Sequence, residues 1–266
     1  MTGPAGGSGG QPVGQVWVVG LGPGASEWRT PEVDSILRRA SDLVGYQTYL
    51  DMVAPGPAGQ RRHASDNREE AARAAAALDL AAAGRTVAVV SSGDPGVFAM
   101  AAAVMEQLAR DDAPPGWAAV EVTVTPGITA AQGAAARAGA PLGHDFAVVS
   151  LSDNLKPWAT VERRLDAAAG ADFVLALYNP VSRHRPWQLG RALDIISGHR
   201  DDSTPVVVGR DVGRPAEEVG IVALGELDQA RVDMRTVLVI GSSTTAMIER
   251  PGHPRQVYTP RSYPAR

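Results

Sequence analysis

From Gln15 to Gly24 the chain reads Gln-Val-Trp-Val-Val-Gly-Leu-Gly-Pro-Gly, and this stretch restricts the fold more than any other. Val16 to Val19 are β-branched or aromatic with no polar break, the pattern of a buried strand. The strand stops on three glycines and a proline within five residues. With no Cβ in the way, a ligand's polar atoms can approach bare backbone N–H groups there. Such a loop after the first strand of an open α/β sheet commonly serves a nucleotide, and it equally makes a tight strand-to-helix turn with no ligand. The dinucleotide fingerprint Gly-x-Gly-x-x-Gly fails at Ala25, and Pro23 removes a donor and stiffens the loop. NAD is disfavoured.

The alternation of strand and helix continues along the chain. Thr30-Pro31 supplies an N-cap and a first helical residue, and Val33, Ile36, Leu37 and Ala40 make one apolar helix face. Residues 42–46 read as a short strand and 55–60 as a turn-rich loop. Asp66 and Glu69, at capping-box spacing, open an alanine-rich helix that ends at Gly84. Strands are expected at 85–90 and 120–125, with a helix over 97–110 between them, and Pro126-Gly127-Ile128-Thr129 leads into another alanine-rich helix. A second cycle has strands at 146–151 and 172–178, a helix started by Lys156-Pro157-Trp158 with Val161 and Leu165 inward, another over 186–197, and further strands at 206–209, 219–224 and 236–240. Strands and helices at this spacing make parallel βαβ units. The expected class is therefore α/β: two domains with mostly parallel sheets, residues 15–144 and 145–249, divided near 140–147. A ligand is expected in the cleft between them, facing the carboxyl ends of the strands. Residues 1–14 read as a disordered tail and 250–266 as a flexible one.

Composition removes several function classes. The 266 residues include no cysteine, which excludes disulfides, thiolate metal sites, iron–sulfur ligation and a thiol nucleophile. No run of eighteen apolar residues is present, so no membrane-spanning helix is expected, and the N-terminus lacks the basic flank and apolar core of a signal peptide. A cytoplasmic protein fits these features. The formal net charge of −4 argues against a general nucleic-acid binder. Lys156 is the only lysine, so anionic groups will mostly meet arginine.

Four loops of one kind stand at the carboxyl ends of strands: 20–24, 92–96, 126–130 and 178–180. None carries Gly-Lys-Ser, which excludes a P-loop, and none offers clustered His or carboxylate ligands for a metal. Asp94 suits accepting from a ribose or an amine, and equally suits a turn before proline. Thr129 suits a ligand carboxylate, and equally an N-cap.

Gly20-Leu21-Gly22-Pro23-Gly24, Gly93-Asp94-Pro95 and Pro126-Gly127-Ile128-Thr129-Ala130 resemble the three signatures of the tetrapyrrole methylases. The resemblance runs from about Val16 to Ser243. A narrower likeness, to a branch serving cobalamin biosynthesis, rests on residues 44–50, 91–97, 142–146, 150–153, 177–180 and 185–189. Members of this family are S-adenosylmethionine-dependent enzymes of two α/β domains, acting on a tetrapyrrole substrate and expected to be homodimers. The resemblance implies that Gly22, Pro23, Gly93, Asp94, Thr129, Ala130, Tyr178 and Thr236 contact the cofactor. The chain departs from the family where Ala25-Ser26-Glu27-Trp28-Arg29, poor in glycine, follows the first loop.

Methyl transfer from a sulfonium to an electron-rich ring carbon needs alignment and exclusion of water rather than a triad or a metal. The reaction of this branch also contracts the macrocycle, which requires proton movement. His144, Asp153 and Tyr178 are the catalytic candidates, with Asp145 beside them. Lys156, Arg183 and Arg185 are placed to meet substrate carboxylates. Trp158 and Trp187 suit covering a flat macrocycle, and equally suit the core. Three rivals remain at this level: a methylase of the same family acting on a different ring carbon, one acting on RNA or protein, and a nucleotide-sensing binding protein built on the same loops.

Overall fold

The structure, a computed structural model, describes residues 14–66 and 69–263. The N-terminal tail expected over 1–14 lies outside the described residues except for Gly14. The chain forms two compact units that meet in sequence at Ile128 and Thr129.

In the first unit β1 (Gln15–Gly20) leads to α1 (Pro31–Arg39), β2 (Asp42–Tyr46), α2 (Gln47–Leu50), β3 (Arg61–Ser65), α3 (Glu70–Ala82), β4 (Thr86–Ser91), α4 (Met100–Leu108) and β5 (Glu121–Thr125). The five strands form a wholly parallel sheet in the order β3-β2-β4-β1-β5. Alternate side chains serve opposite faces. Val16, Val18, Val87 and Val89 pack with α3 and α4, while Val19, Leu21, Ala88 and Val90 pack with α1 and α2. From β1 the chain crosses over β4 to β2, with α1 on one face of the sheet, and from β4 it crosses over β1 to β5, with α4 on the other, so the loops after β4, β1 and β5 follow three adjacent strands at their carboxyl ends.

Local signals explain the helices. Thr30 Oγ1 accepts from the Val33 N–H at 3.2 Å, and Pro31 occupies the first helical position of α1. The α4 helix starts later than expected, at Met100, because Phe98 takes a left-handed backbone (φ 53°) and Ala99 is extended. Strand β3 was not expected. Its sequence Arg-Arg-His-Ala-Ser has no apolar alternation, and side-chain bonds hold it as an edge strand. The Arg62 guanidinium donates to the carbonyls of Leu50, Val53 and Ala54, and His63 Nε2 lies 2.8 Å from Asp42 Oδ1.

In the second unit α5 (Ala130–Ala138) is followed by β6 (Gly139–Ala140), β7 (Phe146–Ser150), α6 (Trp158–Gly170), β8 (Val174–Tyr178), α7 (Gln188–Ser197), β9 (Pro205–Arg210), β10 (Glu218–Ala223), β11 (Thr236–Ile240), β12 (Ala246–Ile248) and β13 (Gln256–Tyr258). The α5 helix packs on β9, β10 and β11, so it goes with this unit, although the sequence suggested a division near 140–147. The main sheet has the order β10-β9-β11-β8-β7. Only β7 and β8 pair in parallel; β8–β11, β11–β9 and β9–β10 are antiparallel. Connection length accounts for the β9–β10 pair. Residues 211–217 join β9 to β10 with no helix, too short for a parallel crossover. Leu165, Leu175, Leu177, Leu189, Ile196 and Leu238 fill the core under α6 and α7.

Residues 250–263 do not form the flexible tail the sequence suggested, and 264–266 lie outside the described residues. β13 pairs with β12 and β6, Thr259 Oγ1 donates to the Pro141 carbonyl at 2.6 Å, and Tyr263 Oη donates to Asp172 Oδ2 at 3.0 Å. No helix among the described residues is long and apolar enough to cross a membrane.

Candidate functional site

In the first unit three glycine loops close on one another at the carboxyl ends of β4, β1 and β5. Gly22 and Gly93 exchange backbone hydrogen bonds at 3.2 and 2.8 Å, both with φ 72°, and Leu21 N–H bonds Ser91 O at 2.8 Å. A methyl group on Gly20 would stand 2.6 Å from Gly93 O and 2.7 Å from Gly127 N. Gly127 is tighter still, since its Cβ would collide with Gly93 O and lie 2.9 Å from Gly20 Cα. Asp94 ties the second loop to the third: Oδ1 accepts from Gly96 N–H at 2.8 Å and Oδ2 from Gly127 N–H at 3.0 Å. Its turn role is real, and each oxygen keeps a further lone pair. Thr125 Oγ1, buried at the end of β5, has no hydrogen-bond partner. Four residues expected to act together, Gly22, Pro23, Gly93 and Asp94, thus lie on adjoining loops.

In the second unit another cluster forms at the carboxyl ends of β7 and β8. Tyr178 Oη accepts from the Ala131 N–H at 2.9 Å, in the first turn of α5. Thr129 caps that helix: its hydroxyl accepts from Gln132 N–H at 3.2 Å and the Gln132 side chain accepts from Thr129 N–H at 3.0 Å. Tyr178, Thr129 and Ala130 are therefore neighbours. Asn179 has a left-handed backbone (φ 53°) and its Nδ2 donates to Ser150 Oγ at 3.0 Å. Gln188 Nε2 donates to Asp153 Oδ2 at 3.1 Å, and Lys156 Nζ donates to Ser152 O at 3.0 Å. Burial pulls the Lys156 ammonium below the ordinary lysine value, with Arg164 and Arg185 adding repulsion and Asp153 opposing both.

Comparison with known proteins decides what these loops belong to. A sequence model of the Tetrapyrrole (Corrin/Porphyrin) Methylases matches residues 15–228. The chain belongs to this family. It is 53% identical over 250 residues, 94% of this chain and 97% of the relative, to a Sinorhizobium protein named precorrin-3B C(17)-methyltransferase. It is likewise 53% identical over 255 residues to the Mycobacterium tuberculosis cobalamin biosynthesis protein CobIJ, of which it spans 49%. The crystal structure of the methyltransferase CobJ superposes with a TM-score of 0.86 at 46% identity, covering 93% of this chain and 100% of that one.

Not every expected residue of this methylase joins a cluster. His144 precedes β7, whereas Asp153 and Tyr178 follow β7 and β8. The five residues of β7 separate them by about 16 Å at ~3.3 Å per residue. His144 Nδ1 instead accepts from Asp145 N–H at 2.8 Å, and its ring meets Tyr263 edge-on at 5.3 Å. His144 is corrected to a residue at the far end of this sheet, away from the other two catalytic candidates. Arg185 is also corrected. It is 6% exposed, and its Nη1 donates to Asn179 O at 2.9 Å and Leu151 O at 3.3 Å, so it holds loops together instead of presenting a cation. Arg183 is exposed at the tip of the turn closed by Ser182 and Arg185. Thr236 is buried at the start of β11, where its hydroxyl donates to Asp233 Oδ1 at 3.1 Å and accepts from Asp233 N–H at 3.1 Å.

Sequence reasoning gave no site role to Thr125, Ser150, Asn179 or Gln188, although the last three lie in the stretches 150–153, 177–180 and 185–189. Ser150 ends β7 and Asn179 follows β8, positions that could have singled them out. The pairing of Gln188 with Asp153, 35 residues away, was not legible. Among the described residues no group of three or more His, Asp or Glu side chains is placed to hold a metal ion.

Proposed function

We propose that this methylase transfers a methyl group from S-adenosylmethionine to C-17 of precorrin-3B, or of its cobalt analogue, and contracts the ring to precorrin-4 in cobalamin biosynthesis. One observation carries the reading: 53% identity spread over 94% of the chain and 97% of the precorrin-3B C(17)-methyltransferase it resembles. The same reading has it working as a cytoplasmic homodimer.

The residues present fit the cofactor. Bare glycine backbone lines the meeting of three loops, and Thr125 Oγ1 is a buried hydroxyl without a partner beneath the third. Gly22, Pro23, Gly93 and Asp94 would hold it from the first unit. Thr129, Ala130, Tyr178 and Thr236 are the second unit's candidates. When bound, S-adenosylmethionine supplies a methyl group already activated by its positive sulfur.

What the chain adds is orientation. Holding two reacting carbons in line contributes up to about 7–11 kcal/mol of the barrier. Mutually locked loops suit this, since their backbones cannot drift apart without breaking the Gly22–Gly93 and Asp94–Gly127 bonds. For the proton movement of ring contraction, Asp153 is oriented by Gln188, and Tyr178 Oη is positioned by the Ala131 N–H from which it accepts. Lys156 and Arg183 are the candidates for substrate carboxylates.

Calorimetry is expected to show S-adenosylhomocysteine binding with no response to NAD or ATP. Addition of the reduced tetrapyrrole should consume cofactor mole for mole. NAD binding without S-adenosylhomocysteine binding, or consumption with RNA in place of the tetrapyrrole, contradicts the reading.

A further inference from the structure

We propose that Trp187 and Leu155 form an apolar platform that receives the flat face of a carboxylate-bearing macrocycle, with Lys156 and Arg183 at its rim. The inference rests on the tetrapyrrole reading above and names the residues that recognise that substrate. Leu155 is 91% exposed and Trp187 is 51% exposed, so neither contributes its full apolar surface to the core. Both stand on loops at the carboxyl ends of β7 and β8, the end that carries Tyr178 and Asp153.

The indole of Trp187 is fixed rather than frayed. Trp187 packs edge-on against Trp158, ring centres 5.0 Å apart at 74°. The two loops are stitched together beneath it by Gln188 to Asp153 at 3.1 Å and by Arg185 to the Leu151 carbonyl at 3.3 Å. An indole packed on its neighbour and a leucine left in water, both on loops at one end of the sheet, offer apolar surface to a flat ligand. The charges around it choose the occupant. Lys156 adjoins Leu155, Arg183 sits on the exposed turn before Trp187, and Arg164 acts on Lys156 from α6. The acidic Asp153 is held by Gln188, and the nearby Glu162 is paired with Arg191 at 2.7 Å. A cationic rim about an apolar face complements a flat ring whose edge bears carboxylates.

The test uses the full chain and uroporphyrin, an octacarboxylate porphyrin, as probe, following the shift of its main absorption band on titration. S-adenosylhomocysteine affinity is measured in parallel by calorimetry. Trp187→Ala should weaken the probe about tenfold and Trp187→Phe should hold it within about threefold. Leu155→Ser, at a position too exposed to disturb the core, should weaken it severalfold. Arg183→Ala should weaken it in low salt, with the difference fading in high salt. S-adenosylhomocysteine affinity should stay at the wild-type value throughout. The proposal is overturned if wild type does not bind the probe, or if Leu155→Ser and Trp187→Phe both match wild type while Trp187→Ala is within about twofold of it. Unchanged probe affinity with a fall in solution mass would make the platform a contact between copies, which also overturns it. Failure of S-adenosylhomocysteine to bind wild type would instead count against the methylase reading.

Discussion

Gly127→Ala is expected to lower stability and remove most cofactor affinity together. The added Cβ would run into Gly93 O, with Gly20 C and Cα at 2.9 Å, and every one of these neighbours is backbone. No rotamer change relieves such a clash, so the loops themselves must separate. Overpacking of this kind costs about 1–3 kcal/mol, which for a chain of this size is a fall of roughly 2–4 °C in Tm per kcal/mol. Loop separation would also strain the bond from Gly127 N–H to Asp94, and S-adenosylhomocysteine affinity should fall by about tenfold or more. Gly220→Ala is the control, because nothing lies within 4 Å of its Cβ position and its φ is not positive. It should change neither quantity. Wild-type Tm and affinity in Gly127→Ala would show that the three loops do not meet as described.

Asp42→Ala should be strongly destabilising, with no direct effect on the loops. Asp42 is 0% exposed and accepts from Arg85 Nε at 2.7 Å and Ser41 Oγ at 2.7 Å, with His63 Nε2 at 2.8 Å. Removing it strands two basic groups that remain about a third exposed, so the cost is about 2–4 kcal/mol rather than that of a fully buried pair. Burial pushes the Asp42 carboxyl upward, but hydrogen bonds from Arg85, His63 and Ser41 outweigh it and hold the group below its ordinary value of 3.8. A carboxylate depressed in the folded state stabilises above its unfolded pKa, and that contribution is lost as pH falls through the folded one. The stability gap between wild type and Asp42→Ala should therefore be full near neutral pH and narrow below about pH 4. Urea titrations across that range read it directly. A constant gap would place the stabilisation in packing rather than charge.

Legibility in the sequence followed the physics of each segment. β1, β4 and β11 are runs of Val, Leu and Ile buried on both faces, and such strands announce themselves. The caps at Thr30 and Thr129 were equally visible, because capping is a local affair of three or four residues. β3 was invisible because its stability comes from Arg62 and His63 reaching elements distant in sequence. β13 was lost behind prolines and arginines, although its pairing is with β6, over a hundred residues earlier. The loops of the site were legible as glycine motifs, but their mutual contact was not, since glycine spacing says nothing about which backbones touch. His144 and Asp153 looked close in sequence. A strand between them puts them at opposite ends of it. Arg185 looked like a surface cation until the turn from Ser182 folded it over the carbonyls of Leu151 and Asn179.

The central claim is the reaction, and the position of the transferred methyl tests it most directly. The full chain is incubated with precorrin-3B and S-adenosylmethionine labelled with carbon-13 in its methyl group, and the product is read by mass and carbon NMR. The account predicts a gain of one labelled methyl, its resonance correlated to C-17, in a ring-contracted macrocycle. Label on another ring carbon, or an unlabelled macrocycle, would contradict it.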